Sequence, residues 1–127
     1  MARQTFSKKE HLVSLLDIKA LFDQKSGVIN AYPLRLIFKY SNTENSVPAL
    51  VLISVSKRHF KHATDRNKAK RQIREAYRLQ KACLWEALES KKKKIHLAFL
   101  WQSDSPVSSE KIASSMQKLL TVLVDKL

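Results

Sequence analysis

Residues 65–78 of this chain read Asp65-Arg66-Asn67-Lys68-Ala69-Lys70-Arg71-Gln72-Ile73-Arg74-Glu75-Ala76-Tyr77-Arg78. At about 100° per residue, this stretch predicts a helix with two chemically different sides. Polar and basic residues fall within a sector about 100° wide, and these are Asn67, Lys70, Arg71, Arg74, Arg78 and Lys81. The opposite side carries Ala69, Ile73, Ala76, Tyr77 and Leu84. We therefore expect one side of the helix to pack on a core and the other to bind an anionic partner.

The positive charge of the chain is concentrated around this helix. The sequence of 127 residues has a net charge of +13, and residues 57–81 contain ten Lys or Arg against two acids, a local excess of +8. A concentrated basic face on a folded scaffold is typical of nucleic-acid binding, because neutralised phosphates release counterions. An acidic membrane surface is a weaker alternative, since membrane-surface helices present bulky apolar residues where this helix offers alanines and one Ile.

Length and composition predict a single domain spanning residues 1–127. A chain of this length with 44% hydrophobic residues can bury one core. Its longest apolar run, residues 49–55, is far too short to cross a membrane, and no long apolar stretch follows the polar N-terminus. We expect a cytoplasmic protein that is not exported. The lone Cys83 has no partner for an internal disulfide, and we expect it to be a buried residue on a helix.

Periodicity predicts a helix and a hairpin ahead of the basic helix. The first helix runs from about Lys8 to Gln24 and ends or turns at Gly27. Residues 33–56 look like an antiparallel hairpin. Its second strand, residues 49–56, is apolar on both faces and is therefore expected at the centre of the sheet. The apolar stripe of the first helix consists of Leu12, Leu15, Leu16, Ile18 and Phe22.

The remaining elements complete a two-layer architecture. The basic helix is predicted to begin after an N-cap at Thr64 or Asp65 and to end near Glu89. A strand over residues 95–101 follows, and Ser105 caps a last amphipathic helix that Pro106 opens. The order of helix, strands, helix, strand and helix indicates an α+β fold with a strand–helix–strand crossover.

Two segments together resemble the signature of the bacterial ribonuclease P protein subunit. These are Ser54-Val55-Ser56-Lys57-Arg58 and the run from Arg66 to Arg78 quoted above. The order of elements over nearly the whole chain is also similar to that family. The resemblance implies an α+β two-layer sandwich with a mixed sheet of about four strands, three helices and a left-handed crossover, the fold type of the second domain of ribosomal protein S5. Such a crossover departs from the general right-handed rule.

The resemblance implies that the basic helix docks on the catalytic RNA of ribonuclease P. Arg binds phosphate oxygens in bidentate fashion, Lys supplies a mobile charge, and Asn adds a neutral donor and acceptor. Lys68 stands where the family frequently has Arg, which keeps the charge and loses the bidentate geometry. The residues assigned to this surface are Arg66, Asn67, Lys68, Lys70, Arg71, Arg74 and Arg78.

The resemblance also implies a cleft on the sheet side that receives the single-stranded 5′ leader of precursor tRNA. Its residues in this chain are Phe22, Ile18, Ile37, Ser56, Lys57 and Arg58. Phe22 matches a common aromatic position, whereas Ile18 and Ile37 stand where the family often has aromatic residues. Loss of base stacking removes about 1–3 kcal/mol per base, so leader binding should rely more on the two basic residues. Packing of Phe22 in the core is an equally weighted alternative.

No residue of this chain is expected to carry out catalysis or to bind a metal. The acidic residues near the basic helix form no evident convergent cluster, and a single glycine excludes a Gly-rich phosphate loop. The resemblance implies that the RNA subunit performs the Mg²⁺-dependent hydrolysis at the mature 5′ end of tRNA, with the ions held mainly by RNA and substrate. The chain would then be the binding subunit of an enzyme, monomeric apart from its RNA complex and without a membrane partner.

Two other classes of protein remain open. A structural RNA-binding protein, such as a ribosomal component, would also bind RNA with strong salt dependence but would not stimulate cleavage of precursor tRNA. A DNA-binding domain that inserts the basic helix in a major groove would show a duplex sequence preference.

Overall fold

The computed structural model describes residues 8–23, 26–41 and 47–127. Within these residues, four strands form one mixed sheet with four α-helices, which confirms the predicted α+β class. The strands are β1 (Gly27–Ala31), β2 (Leu34–Ser41), β3 (Ala49–Ser54) and β4 (Lys94–Trp101). The helices are α1 (Leu15–Leu21), α2 (Ala63–Gln80), α3 (Ala82–Ser90) and α4 (Ser109–Lys126), preceded by a 3-10 turn at Lys8–Glu10. One helix more than predicted is present, because the basic helix breaks at Lys81 into α2 and α3.

The strand order in the sheet is β1-β2-β4-β3, which corrects the predicted hairpin over residues 33–56. β2 pairs antiparallel with both β1 and β4, so the observed hairpin is β1–β2. β3 pairs parallel with β4, and α2 and α3 connect these two strands. The central position that we predicted for residues 49–56 was wrong. β3 lies at an edge and is apolar on both faces because helices cover one face and the N-terminal segment covers the other.

The larger core lies between one face of the sheet and helices α2, α3 and α4. Alternate side chains of the central strands point into it, including Leu36 from β2 and Phe99 from β4, and Tyr77 of α2 packs its ring 5.6 Å from that of Phe99. Two glutamines fix α2 beside α4. Gln72 Nε2 donates to the carbonyl of Val107 at 2.7 Å, and Gln80 Nε2 donates to the carbonyl of Ala113 at 3.0 Å.

The N-terminal segment covers the second face of the sheet. Leu12, Leu21 and Ala98 form a small buried cluster there. The predicted helix from Lys8 was wrong, because Ser14 caps α1 and leaves Leu12 in an extended segment. The helix α1 has only seven residues, and the side that faces the sheet carries Ile18 and Leu21. Leu15 and Leu16 point away from the sheet and remain 76% and 79% exposed. Gln24, the predicted end of the helix, lies outside the described residues.

Three further expectations were wrong. α2 begins after His62, so Thr64 and Asp65 lie in its first turn. α4 begins three residues later than predicted, where Ser108 Oγ accepts a hydrogen bond from the amide of Lys111 at 3.2 Å. Cys83 is exposed, because the side of α3 that packs on the core carries Leu84 and Leu88. No described helix has the length and apolar character needed to cross a bilayer.

Candidate RNA interface

The exposed side of α2 presents basic side chains that have no acidic partner among the described residues. These are Lys68, Lys70, Arg71 and Arg74, with Asn67 beside them. Lys70 is half-buried and the others are exposed. Their backbone is held firmly because the opposite side of the helix buries Ala69, Ile73, Ala76 and Tyr77. The structure therefore brings the predicted residues of this segment together on one rigid surface, which we call the open basic face.

Arg66 has an additional role within the protein. Its Nη1 donates to the carbonyls of Phe60 and Lys61, both at 2.8 Å. These bonds hold the loop that leads into α2 against the first turn of the helix. The Arg66 guanidinium is thereby oriented at the junction of this loop and the open basic face.

Arg78 is paired within its own helix. Its Nε donates to Glu75 Oε2 at 3.1 Å, and a second contact joins Nη2 to the other carboxylate oxygen. The hydrogen bond from Arg78 lowers the pKa of the Glu75 carboxyl, and the same bond raises the pKa of Arg78. The net charge that this turn offers to a partner is therefore smaller than the sequence pattern indicates.

Lys81 does not belong to the exposed surface, which corrects its assignment to the basic sector. Its side chain is 3% exposed, and its Nζ lies 2.5 Å from Oε1 of Glu10 and 4.4 Å from the centroid of the Trp85 ring. Glu10 is equally buried. The N-terminal segment thus covers Lys81 at the end of α2. Glu10, which lies 71 residues earlier in the sequence, neutralises the charge of Lys81.

The predicted leader residues fall into two groups. Ile18 and Ile37 pack on the edge of the small cluster beneath α1, on the second face of the sheet. Phe22 is the C-cap of α1 and is 47% exposed, so its ring is not a buried core side chain. Lys39 Nζ donates to the carbonyl of Ala20 at 3.5 Å and links the same helix to β2.

The second group, Ser56, Lys57 and Arg58, forms the exposed loop after β3. Ser56 Oγ accepts a hydrogen bond from the amide of Arg58 at 3.1 Å, which closes a tight turn. Next in the chain, His59 Nδ1 lies 2.7 Å from Asp104 Oδ1 in the loop after β4. Arg66 hydrogen-bonds to the carbonyls of Phe60 and Lys61, at the end of the same loop. The residues predicted for the leader and those predicted for the catalytic RNA therefore lie next to each other along residues 56–66.

No group of three or more His, Cys, Asp or Glu side chains within residues 8–23, 26–41 and 47–127 is arranged so that it could hold a metal ion. One histidine has an unusual environment. His96 on β4 is 6% exposed, and its Nε2 has no hydrogen-bond partner among the described residues. Burial lowers the pKa of His96, while the charge of Asp17 on α1 acts in the opposite direction.

The sequence resembles known proteins over most of its length. The family model described as Ribonuclease P matches residues 6–123. The ribonuclease P protein component of Porphyromonas gingivalis is 32% identical over 114 residues, covering 90% of this chain and 82% of that protein. The component from Chlorobaculum tepidum is 34% identical over 116 residues, covering 84% of this chain and 75% of that protein.

Solved structures share the fold. The Staphylococcus aureus RNase P protein superimposes with a TM-score of 0.71 at 18% identity, covering 90% of this chain and 94% of that chain. The RNase P protein from Thermotoga maritima gives a TM-score of 0.68 at 19% identity, covering 89% and 96%. Sequence and fold agree, and the chain belongs to the ribonuclease P protein component family.

Proposed function

We propose that this chain is the RNA-binding subunit of ribonuclease P and that it docks on the catalytic RNA through the open basic face of α2. The observation that carries this proposal is the set of four basic side chains, Lys68, Lys70, Arg71 and Arg74, without acidic partners among the described residues. A rigid helix that displays such charges fits a phosphate backbone, because the backbone that carries them does not have to be ordered on binding. Membership of the family supplies the role in tRNA processing with the RNA subunit.

The same proposal places the 5′ leader of precursor tRNA in the cleft beside α1. The half-exposed ring of Phe22 offers a stacking surface, and the exposed Lys57 and Arg58 offer phosphate contacts. Ile18 and Ile37 provide an apolar wall, since both are partly buried on that face. The leader path would then run from α1 toward the loop after β3.

In this proposal the RNA subunit carries the chemistry. Mg²⁺ ions are held mainly by RNA and substrate, and the protein contributes affinity. The protein acts in the cytoplasm, as a monomer apart from its RNA complex. Substrate binding that is already organised by the protein lowers the concentration of Mg²⁺ that the RNA needs, because basic side chains neutralise part of the phosphate repulsion.

Cleavage of a precursor tRNA at low Mg²⁺ by a bacterial ribonuclease P RNA tests the proposal. We expect multiple-turnover cleavage at the mature 5′ end to be strongly stimulated when the protein is added. Tight RNA binding without stimulation, with cognate and related RNAs alike, would favour a structural RNA-binding protein of the ribosomal kind. Absence of RNA binding would overturn both assignments.

A second experiment tests the leader assignment alone. Phe22→Ala should raise KM for a precursor with a long leader by about tenfold, since a lost stacking contact is worth about 1–3 kcal/mol. The KM for a precursor with a leader of one nucleotide should not change. Leu16→Ala is the matched control, because Leu16 is an exposed apolar residue of the same helix outside the assigned set. Equal effects of Phe22→Ala on both substrates would contradict the leader assignment.

A further inference from the structure

A groove separates α2 from the N-terminal segment. It has a volume of about 190 Å³ and is bounded by residues 11–13, by residues 51–53 of β3 and by Lys70 and Arg74 of α2. That is space for one planar ring system, and it is too small for a helical element.

The two sides of the groove differ in chemistry. Lys70 and Arg74 form one side, and neither has an acidic partner among the described residues. Val13, which is exposed, and Leu52, which is partly exposed, supply apolar surface on the other side, and none of the described residues that line the groove is Asp or Glu. A ligand that fits must combine an anionic group with a flat, largely apolar body. A nucleotide has both, as phosphate and base.

The edge of β3 adds backbone hydrogen-bonding groups. The amide of Ile95 donates to the carbonyl of Pro48, and the amide of Leu12 donates to the carbonyl of Val51, both at 2.9 Å. In a parallel pairing, alternate residues point their peptide groups toward opposite neighbours. Ile53 therefore turns its peptide groups toward the same outer edge as Val51.

The N-terminal segment leaves that edge before it reaches Ile53. Among the described residues, the backbone pairing of this segment with β3 ends at the bond from Leu12, because Ser14 caps α1 two residues later. The N–H and C=O of Ile53 thus face the groove that Ile53 lines. One donor and one acceptor side by side can hydrogen-bond the edge of a base.

We propose that this groove binds a single unpaired nucleotide of the partner RNA, with its phosphate on Lys70 and Arg74 and its base against Val13 and Leu52. The inference rests on the proposed function and specifies which feature of the RNA the open basic face recognises. The Watson–Crick edge of a paired base is bonded to its partner and its faces are stacked, so only a nucleotide turned out of the RNA structure can insert its base into the groove. The groove then adds recognition of RNA shape to the attraction of charge.

Photocrosslinking tests where the RNA lies. Val13 borders the groove and is 79% exposed, so p-benzoylphenylalanine at this position should not disturb the fold. Val122 on α4, 40% exposed and outside the groove, is the matched control. With a bacterial ribonuclease P RNA that the wild-type protein binds, we expect the position-13 variant to crosslink to one nucleotide that is unpaired and becomes protected from base modification. Crosslinks only to paired nucleotides, or no stronger than those of the control, would overturn the proposal.

Substitution tests whether the contact contributes to affinity. Val13→Asp places a carboxylate beside the groove and should weaken binding of the RNA by about tenfold, whereas Val122→Asp should change it by less than about twofold. Removing the base of the crosslinked nucleotide should weaken binding to the wild-type protein by about tenfold, because the contact of the base with the groove is lost. Equal binding of intact and abasic RNA by the wild-type protein would contradict the groove assignment. If stimulation of cleavage persists in that case, the proposed function stands without this inference.

Discussion

Segments 68–74 and 75–81 share one basic sequence pattern and differ in their free charge. In segment 68–74, Lys70 and Arg74 have no acidic partner among the described residues. In segment 75–81, Arg78 is paired with Glu75, and Lys81 at the C-cap of α2 is buried against Glu10. Helical spacing thus identifies candidate charges, and tertiary contacts determine which of them a partner can bind.

The largest effect is expected at the buried pair. Lys81→Ala leaves the carboxylate of Glu10 buried without its ammonium partner and should lower the free energy of unfolding by about 3–5 kcal/mol. Urea unfolding measures this loss. The double variant Glu10→Leu/Lys81→Met should recover most of it, because apolar residues of similar size avoid the desolvation of two charges. A loss below about 1 kcal/mol in the single variant would mean that the pair is solvated, as surface pairs are.

An intermediate effect is expected on the open basic face. Arg71→Ala and Arg74→Ala should each weaken binding to the catalytic RNA and reduce the slope of log K against log salt by about 0.7–1, which corresponds to one phosphate contact. Titrations at several salt concentrations measure both quantities. The melting temperature should not change, because Arg71 and Arg74 are exposed. An unchanged slope for both variants would remove the docking assignment from segment 68–74.

The smallest effect is expected at the Glu75–Arg78 pair. Glu75→Gln removes the acid that neutralises Arg78 and should tighten RNA binding by about twofold to threefold, the range of an exposed ion pair. Glu86→Gln on α3 is a control for the general loss of one negative charge. Similar gains in the two variants would show that the pairing has no local effect on binding.

The predictable part of the site is the part fixed by local sequence. The position of the open basic face follows from 3.6-residue periodicity, and the buried stripe of Ala69, Ile73 and Tyr77 confirms it. The predicted strand over residues 95–101 agrees with β4 because a continuous apolar run is typical of a buried strand.

The parts that failed depend on distant contacts. The burial of Lys81 depends on its contact with Glu10, and Glu10 lies outside the sequence pattern of α2. The partner of β3 is β4 rather than β2, and apolar character alone does not distinguish an edge strand covered by the N-terminal segment from a central strand. The groove beside Lys70 also requires the N-terminal segment to follow the β3 edge, so the sequence gives no signal for it.

The salt dependence of RNA binding tests the central claim most directly. The measurement compares wild type with a variant in which Lys68, Lys70, Arg71 and Arg74 are all replaced by Ala, and with Glu10→Leu/Lys81→Met as the control that alters only the buried pair. The account predicts that the slope of log K against log salt falls by about 3–4 in the fourfold variant and stays at the wild-type value in the control. A wild-type slope in a folded fourfold variant would contradict the claim that segment 68–74 of α2 docks on RNA.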